Sequence, residues 1–243
     1  MPRRKGQPAE VIDAAALTAS LEELKRSGPL PSLFVFDLDY TLWPAWVDTH
    51  VDPPLKRRID DINKVYDRSG TTLSLFPHVP AILFFLQRND IPIAIASRTS
   101  APDAANQALR GLYILDESVP SEERSEPVAA ITLCRHMEIY PGSKIKHFKS
   151  IQNALGHKYE DMIFFDDEHR NAEVSRELGV HFVQVGNPGT DVGTVIRGVR
   201  EFQARRKARQ GDLDAGAALV GLESVPTALG YTFPFSPFFL IHD

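Results

Sequence analysis

Short apolar runs alternate with helix-period segments along most of this chain, and few folds accept that pattern. The runs are "LFVFDL", "IPIAIAS", "ITLCRHMEIY", "DMIFFD" and "HFVQV". Between them come "HVPAILFFLQRN", "APDAANQALRGL", "KIKHFKSIQNALG" and "EHRNAEVSRELG". The runs read as strands and the intervening segments as helices, because only the latter space apolar residues around a helical face. In the first helix the stripe is Val79, Ile82, Leu83 and Leu86, and Gly179 is placed to end the last one. Strands separated by helices form βαβ units, and strands apolar on both faces need cover on both. The expected fold is therefore α/β, a doubly wound, Rossmann-like parallel sheet in three layers.

Three segments fall outside the alternation. Residues 1–31 are expected to be an N-terminal helical extension, with helical spacing of Ile12, Ala16, Leu17 and Leu21 ended by "GPLP". The main domain spans 32–208. A tail, 209–243, follows the basic helical stretch "VREFQARRKARQ" and closes on "FPFSPFFLIHD", whose prolines disfavour a membrane helix. Inside the domain, residues 43–76 are expected to form a small flap after the first strand, with a hairpin turning at Ser69 and Gly70. The acidic, proline-punctuated 115–127 reads as a mobile loop.

Composition narrows the function. A chain of 243 residues, 43% apolar and 24% charged, is sufficient for one buried core. The net charge of −5 argues against a general nucleic-acid binder, which needs clustered cations for phosphates. The lone cysteine, Cys134, has no internal partner and reads as a small buried side chain in a reducing compartment. No run approaches the ~18 apolar residues of a membrane span, and the "MPRRKGQPAE" start leads into no signal-like apolar region. A cytoplasmic or nuclear protein without a membrane partner is expected.

Ligands of open parallel sheets bind beyond the carboxyl ends of the strands. There the sequence places Asp37, Asp39 and Thr41 after the first strand, Ser97 and Arg98 after the second, Lys144 after the third, and Asp166, Asp167 and then Asn171 after the fourth. Four carboxylates in one crevice repel unless a cation neutralises them, and an all-oxygen donor set suits Mg²⁺. The metal with Lys144, Arg98 and Ser97 would receive a phosphoryl group. Residues two apart in a strand can serve one site, leaving the backbone carbonyl of Leu38 or Asp39 for the metal. One carboxylate could attack phosphorus to form an acyl phosphate while the other handles protons.

At this point the chain resembles a known group. "DLDYT", Ser97, Lys144 and "DDEHRN" match the four motifs of the haloacid dehalogenase superfamily of aspartate-nucleophile phosphatases. The longer strings "FDLDYTLWPAWVDTHVDPP", "ASRTS", "IYPGSK" and "FFDDEHRN" resemble its magnesium-dependent phosphatase-1 family, over residues 32 to 205. The resemblance implies Asp37 as nucleophile and Asp39 as general acid and base, with Leu38, Ser97, Arg98 and Lys144 on the phosphate side. It implies Mg²⁺ held by Asp37, the Asp39 carbonyl and Asp167, with Asp166 bound less directly or orienting Lys144. The implied activity is hydrolysis of phosphomonoesters, either phosphotyrosine on a protein or peptide or a small glycated-amine phosphate.

Blander readings stand beside these. A receiver-like phospho-acceptor module also joins an Asp, acidic ligands, a hydroxyl and a Lys, but there the acidic pair precedes the acceptor and the Lys comes last. Of Trp43 and Trp46, one lining the entrance is as plausible as both in the core. Asp48 and Asp52 could cap turns, and His50, His78 and His136 show no metal-like pairing.

Overall fold

The computed structural model describes the backbone of residues 13–222 and, Ala14 and residues 212–222 aside, their side chains. In chain order its elements are α1 (Ala14–Ser27), β1 (Leu33–Phe36), α2 (Val47–His50), β2 (Val65–Tyr66), β3 (Thr72–Leu73), α3 (Val79–Arg88), β4 (Ile93–Ser97), α4 (Pro102–Gly111), β5 (Tyr113–Ile114), β6 (Val128–Ala129), β7 (Cys134–Ile139), α5 (Lys144–Leu155), β8 (Met162–Asp166), α6 (Glu173–Leu178), β9 (His181–Gln184) and α7 (Val192–Leu222). Five strands form the expected parallel sheet, in the order β7-β4-β1-β8-β9. The chain steps outward from β1 through β4 to β7, then restarts on the other side with β8. Loops after β1 and β8 therefore diverge, and a crevice opens between them.

The period of two along each strand divides the core. Phe34, Phe36 and Phe165 stack on one face with ring centroids 5.1–6.4 Å apart, among Ile82, Leu86, Ala105 and Val199. Leu33, Val35 and Phe164 face the other way, onto Phe148, Ile151 and Val174 of α5 and α6. Helices cover both faces, which is why the central strands are apolar throughout. The edge strand β7 is only partly buried.

α3 buries its expected stripe and also Ala81, Phe84 and Phe85. Such an all-round apolar helix needs cover on its outer side, which α1 provides. Leu21 and Leu24 of α1 enter the same core. The α1 stripe runs through Leu17, Leu21 and Leu24, and Ala16 is exposed. The helix is capped by Asp13, whose carboxylate accepts the Ala16 N–H at 3.0 Å; Ile12 lies outside the described residues.

The flap is present, as α2 and the antiparallel β2–β3 hairpin. Gly70, at φ +86°, makes its turn, and Asp67 accepts the Thr71 N–H at 2.8 Å. The acidic loop is more ordered at its base than the sequence suggests: β5 and β6 pair across it, and Arg88 on α3 forms an ion pair with Asp116. Two expected regular segments begin as 3-10 turns instead, Ala130–Leu133 before β7 and His169–Ala172 before α6. A first compact unit ends at Ala204 and a second begins at Arg205, the latter described only as the remainder of α7. The terminal "FPFSPFFLIHD" lies outside the described residues, and among those described no helix is long and apolar enough to cross a membrane.

Candidate active site

Asp37 continues β1 by donating its N–H to the Phe165 carbonyl at 2.9 Å, which brings its side chain to the β1–β8 crevice. Lys144 arrives from the opposite direction. Ser143 caps α5 by accepting the Ile145 N–H, so Lys144 is the first helical residue and is fully buried. Its Nζ lies 2.7 Å from Asp37 Oδ1 and 2.9 Å from Asp166 Oδ2, and also donates to the Ala96 carbonyl. All three ammonium hydrogens thus have acceptors. Burial disfavours the Lys144 charge, but Asp37 and Asp166 outweigh it and raise its pKa. Asp37 is pushed up to about 8 by burial, which the Lys144 charge only partly offsets, and repulsion from Asp166 and Asp39 adds to it.

Negative charge remains in excess. Carboxylate oxygens of Asp37, Asp166 and Asp167 lie within 4.8 Å of one another, against one ammonium. Hard oxygen donors at that spacing fit Mg²⁺. The adjacent acids are not equivalent, however. Asp166 is fully buried and both its oxygens are engaged: Oδ1 accepts from Asn171 Nδ2 and the Glu168 N–H at 2.9 and 2.8 Å, Oδ2 from Lys144 and Asn171. Asp167 is half-buried and raised to about 6, by burial and then by repulsion from Asp166 and Glu168, with its own backbone N–H opposing. Its backbone is hooked to the β1 loop through an N–H donated to Thr41 Oγ1 at 3.2 Å.

Asp39 sits in a different setting. The Leu38 carbonyl accepts the N–H groups of Thr41, Leu42 and Trp43 at 3.2, 2.8 and 3.4 Å, folding residues 38–43 into a tight turn with Tyr40 at φ +52°. Of the two carbonyls expected to be open to a metal, Leu38 is therefore occupied, and its side chain is buried in the core. Its remaining backbone group for a ligand is the N–H. The turn brings the Trp43 indole onto Asp39, Nε1 to Oδ1 at 2.8 Å, and the Val47 N–H reaches the same oxygen at 3.3 Å. Burial raises Asp39 to about 6 against these hydrogen bonds.

Above these groups lies a cleft of about 290 Å³. Ser97 is buried, and Arg98 Nη1 donates to Asn171 Oδ1 at 3.1 Å. The amide of Asn171 thereby spans Asp166 and Arg98. Asp48 forms part of the rim, its Oδ2 accepting from Ser100 Oγ at 2.8 Å and the Ser100 N–H. Trp46, 48% exposed, stacks on His50 and meets Tyr40 edge-on. The tryptophans thus divide, Trp43 in the core and Trp46 at the entrance.

Residues 29–205 match a family model described as acid phosphatase. The chain belongs to the acid phosphatase family. It is 44% identical over 184 residues to magnesium-dependent phosphatase 1 of Homo sapiens, across 76% of this chain and 92% of that protein. It is 43% identical over 154 residues to a HAD-like hydrolase superfamily protein of Schizosaccharomyces pombe, across 63% of this chain and 85% of the relative. Among solved structures, 3-deoxy-D-manno-octulosonate 8-phosphate phosphatase of Moraxella catarrhalis, in complex with magnesium, phosphate and KDO, has a TM-score of 0.41 at 14% identity, covering 79% of this chain and 98% of that one. The protein is a magnesium-dependent phosphatase of the haloacid dehalogenase superfamily.

In this phosphatase Asp37, Asp39, Ser97, Arg98, Lys144 and Asp167 all line one cleft, and Asp166 lies directly behind it. Sequence reasoning had no access to the Trp43 contact with Asp39 or the Thr41 hook on Asp167. An indole four residues after a carboxylate is the local signal for the first. For the second no local signal exists, because the partners are 126 residues apart. His78 and His136 are structural: His78 Nδ1 accepts the Val192 N–H, and His136 pairs with Glu138 at 2.6 Å. Asp52 pairs with Arg68 at 3.4 Å.

Proposed function

We propose that this phosphatase cleaves phosphomonoesters in two half-reactions, with Asp37 as nucleophile and Asp39 as acid and then base. The observation that carries the reading is that two carboxylates, two residues apart, line one cleft in different surroundings. Asp37 lies beside Lys144 and the acid cluster, and Asp39 is held by Trp43 and Val47. With Oδ1 fixed by Lys144, Asp37 attacks phosphorus through its other oxygen. The bond from phosphorus to the ester oxygen breaks, the Asp39 proton passes to that oxygen, and an acyl phosphate remains on Asp37. Water then attacks the same phosphorus and gives its proton to Asp39, and the Asp37 carboxylate departs as phosphate is freed.

Ser97, Arg98, Lys144 and the Leu38 N–H orient the phosphoryl oxygens. Asp37, Asp167 and the Asp39 carbonyl are the metal ligands, and Asp166, already engaged on both oxygens, fixes Lys144. When bound, Mg²⁺ supplies positive charge where the phosphoryl oxygens gather it. An open mouth with Trp46 as a platform suits a phosphotyrosine side chain on a protein or peptide. The carboxylates of Asp48 and Glu168 on the cleft lining favour a second reading, a sugar phosphate bearing a protonated amine.

Acid quench during turnover tests the mechanism. Wild type carries a base-labile phosphoryl label that maps to Asp37, and Asp37→Asn abolishes both label and activity. A label elsewhere, or slow release of phosphate from wild type as a receiver module would show, defeats the proposal. Comparing kcat/KM on a phosphotyrosine peptide and on a phosphorylated sugar adduct of lysine decides between the substrates.

A further inference from the structure

Asp39 Oδ1 accepts two N–H groups, from the Trp43 indole at 2.8 Å and from the Val47 backbone at 3.3 Å. An oxygen crowded by two donors has no place for a hydrogen of its own, since a third would point into the other two. In the acid form the proton is therefore on Oδ2. The indole is also well anchored: Trp43 is fully buried, it belongs to the main core, and its backbone is tied into the turn through the Leu38 carbonyl. By contrast, the terminal torsion of an aspartate is soft and nearly two-fold, so an unclamped carboxyl exchanges its oxygens freely.

We infer that Trp43 is a positioning residue for proton transfer, its indole N–H fixing the Asp39 carboxyl so that Oδ2 alone carries the proton delivered to the leaving oxygen. The inference rests on the reading of Asp39 as the acid. It assigns Trp43 a role that burial alone does not require: as a core aromatic it would need some hydrogen-bond partner for its N–H, but not one in the reaction. A misplaced acid harms only those substrates whose leaving oxygen must be protonated as the bond breaks. Dependence on the leaving group therefore separates the two roles.

The experiment measures kcat/KM, which reports the step up to acyl-phosphate formation, on aryl phosphates from dinitrophenyl to phenyl, in saturating Mg²⁺. Wild type shows a shallow dependence on leaving-group basicity and Asp39→Asn a steep one. Trp43→Phe is expected to fall between them, losing about ten- to hundredfold on phenyl phosphate, below the full effect of a general acid, and under about threefold on dinitrophenyl phosphate. Retained turnover of the activated ester shows that the variant is folded. A second variant, Trp43→benzothienylalanine, keeps the shape of the indole and replaces its N–H by sulfur, and is expected to give the same steepened series. A uniform loss, or none, across the series in both Trp43 variants, with Asp39→Asn steep, overturns the inference and leaves the mechanism standing. A shallow series for Asp39→Asn overturns the parent reading instead.

Discussion

Replacing Lys144 by Met removes an ammonium buried among the acids while keeping most of the side-chain volume. In the wild type its ammonium is fully buried, with Asp37 at 2.7 Å, Asp166 at 2.9 Å and the Ala96 carbonyl as its third acceptor. Asp37, already pushed up to about 8 by burial, loses the opposing charge that keeps it from going higher. Asp166 retains Asn171 and the Glu168 N–H but loses its ion pair with Lys144. Breaking a buried pair from one side costs about 3–5 kcal/mol, a large share of the ~5–15 kcal/mol that holds a typical domain together. The sign with pH follows. Without Lys144 the folded pKa of Asp37 rises further above the ordinary ~3.9 of the unfolded chain, so from about pH 8 upward, where wild-type Asp37 gives up its proton, the native variant still holds one. Its stability therefore falls as pH rises, and its deficit relative to wild type widens. Urea unfolding in chelator at about pH 7 and about pH 9, on either side of the wild-type Asp37 pKa, followed by far-ultraviolet dichroism, reads both quantities. A deficit below about 1 kcal/mol at both values, or one that widens toward acid, would refute the reasoning.

Three further outcomes are expected. Chelation abolishes hydrolysis of a generic aryl phosphate and Mg²⁺ restores it, whereas Ca²⁺, larger and less strict in geometry, restores it poorly; full turnover in metal-free buffer contradicts the acid cluster's assignment. Arg98→Ala weakens transition-state binding by about 1–3 kcal/mol with the fold intact, and unchanged kcat/KM on every substrate would return Arg98 to a purely structural partner of Asn171. Gly189→Ala lowers stability by about 2–4 kcal/mol, because the position has φ +128° and the new Cβ would come within 2.0 Å of the Phe76 ring; Gly186→Ala, with nothing within 4 Å, is the control in the same urea series.

How much of this was legible in the sequence depends on whether the information was local. The parallel sheet was legible because continuous apolar runs and helix-period patterns are written within single elements, and the cleft because a parallel sheet delivers every strand end to one edge. The stripe of α1 was read correctly at Leu17 and Leu21 but included the exposed Ala16 and missed Leu24, because its buried face is chosen by contact with α3 rather than by apolar count alone. The same limit explains the two carbonyls left open beforehand. Three N–H groups converge on Leu38, an outcome of the turn's geometry with no composition signature, and that convergence is what turns Trp43 inward to Asp39. Likewise Asp166 and Asp167 are chemically identical neighbours in the sequence; Lys144 from the start of α5, with Asn171 and the Glu168 N–H from the segment after β8, saturates one and leaves the other facing the cleft. Residue type and order thus select the chemistry available to the crevice, whereas each carboxylate's role is set by which donors the folded loops bring to it.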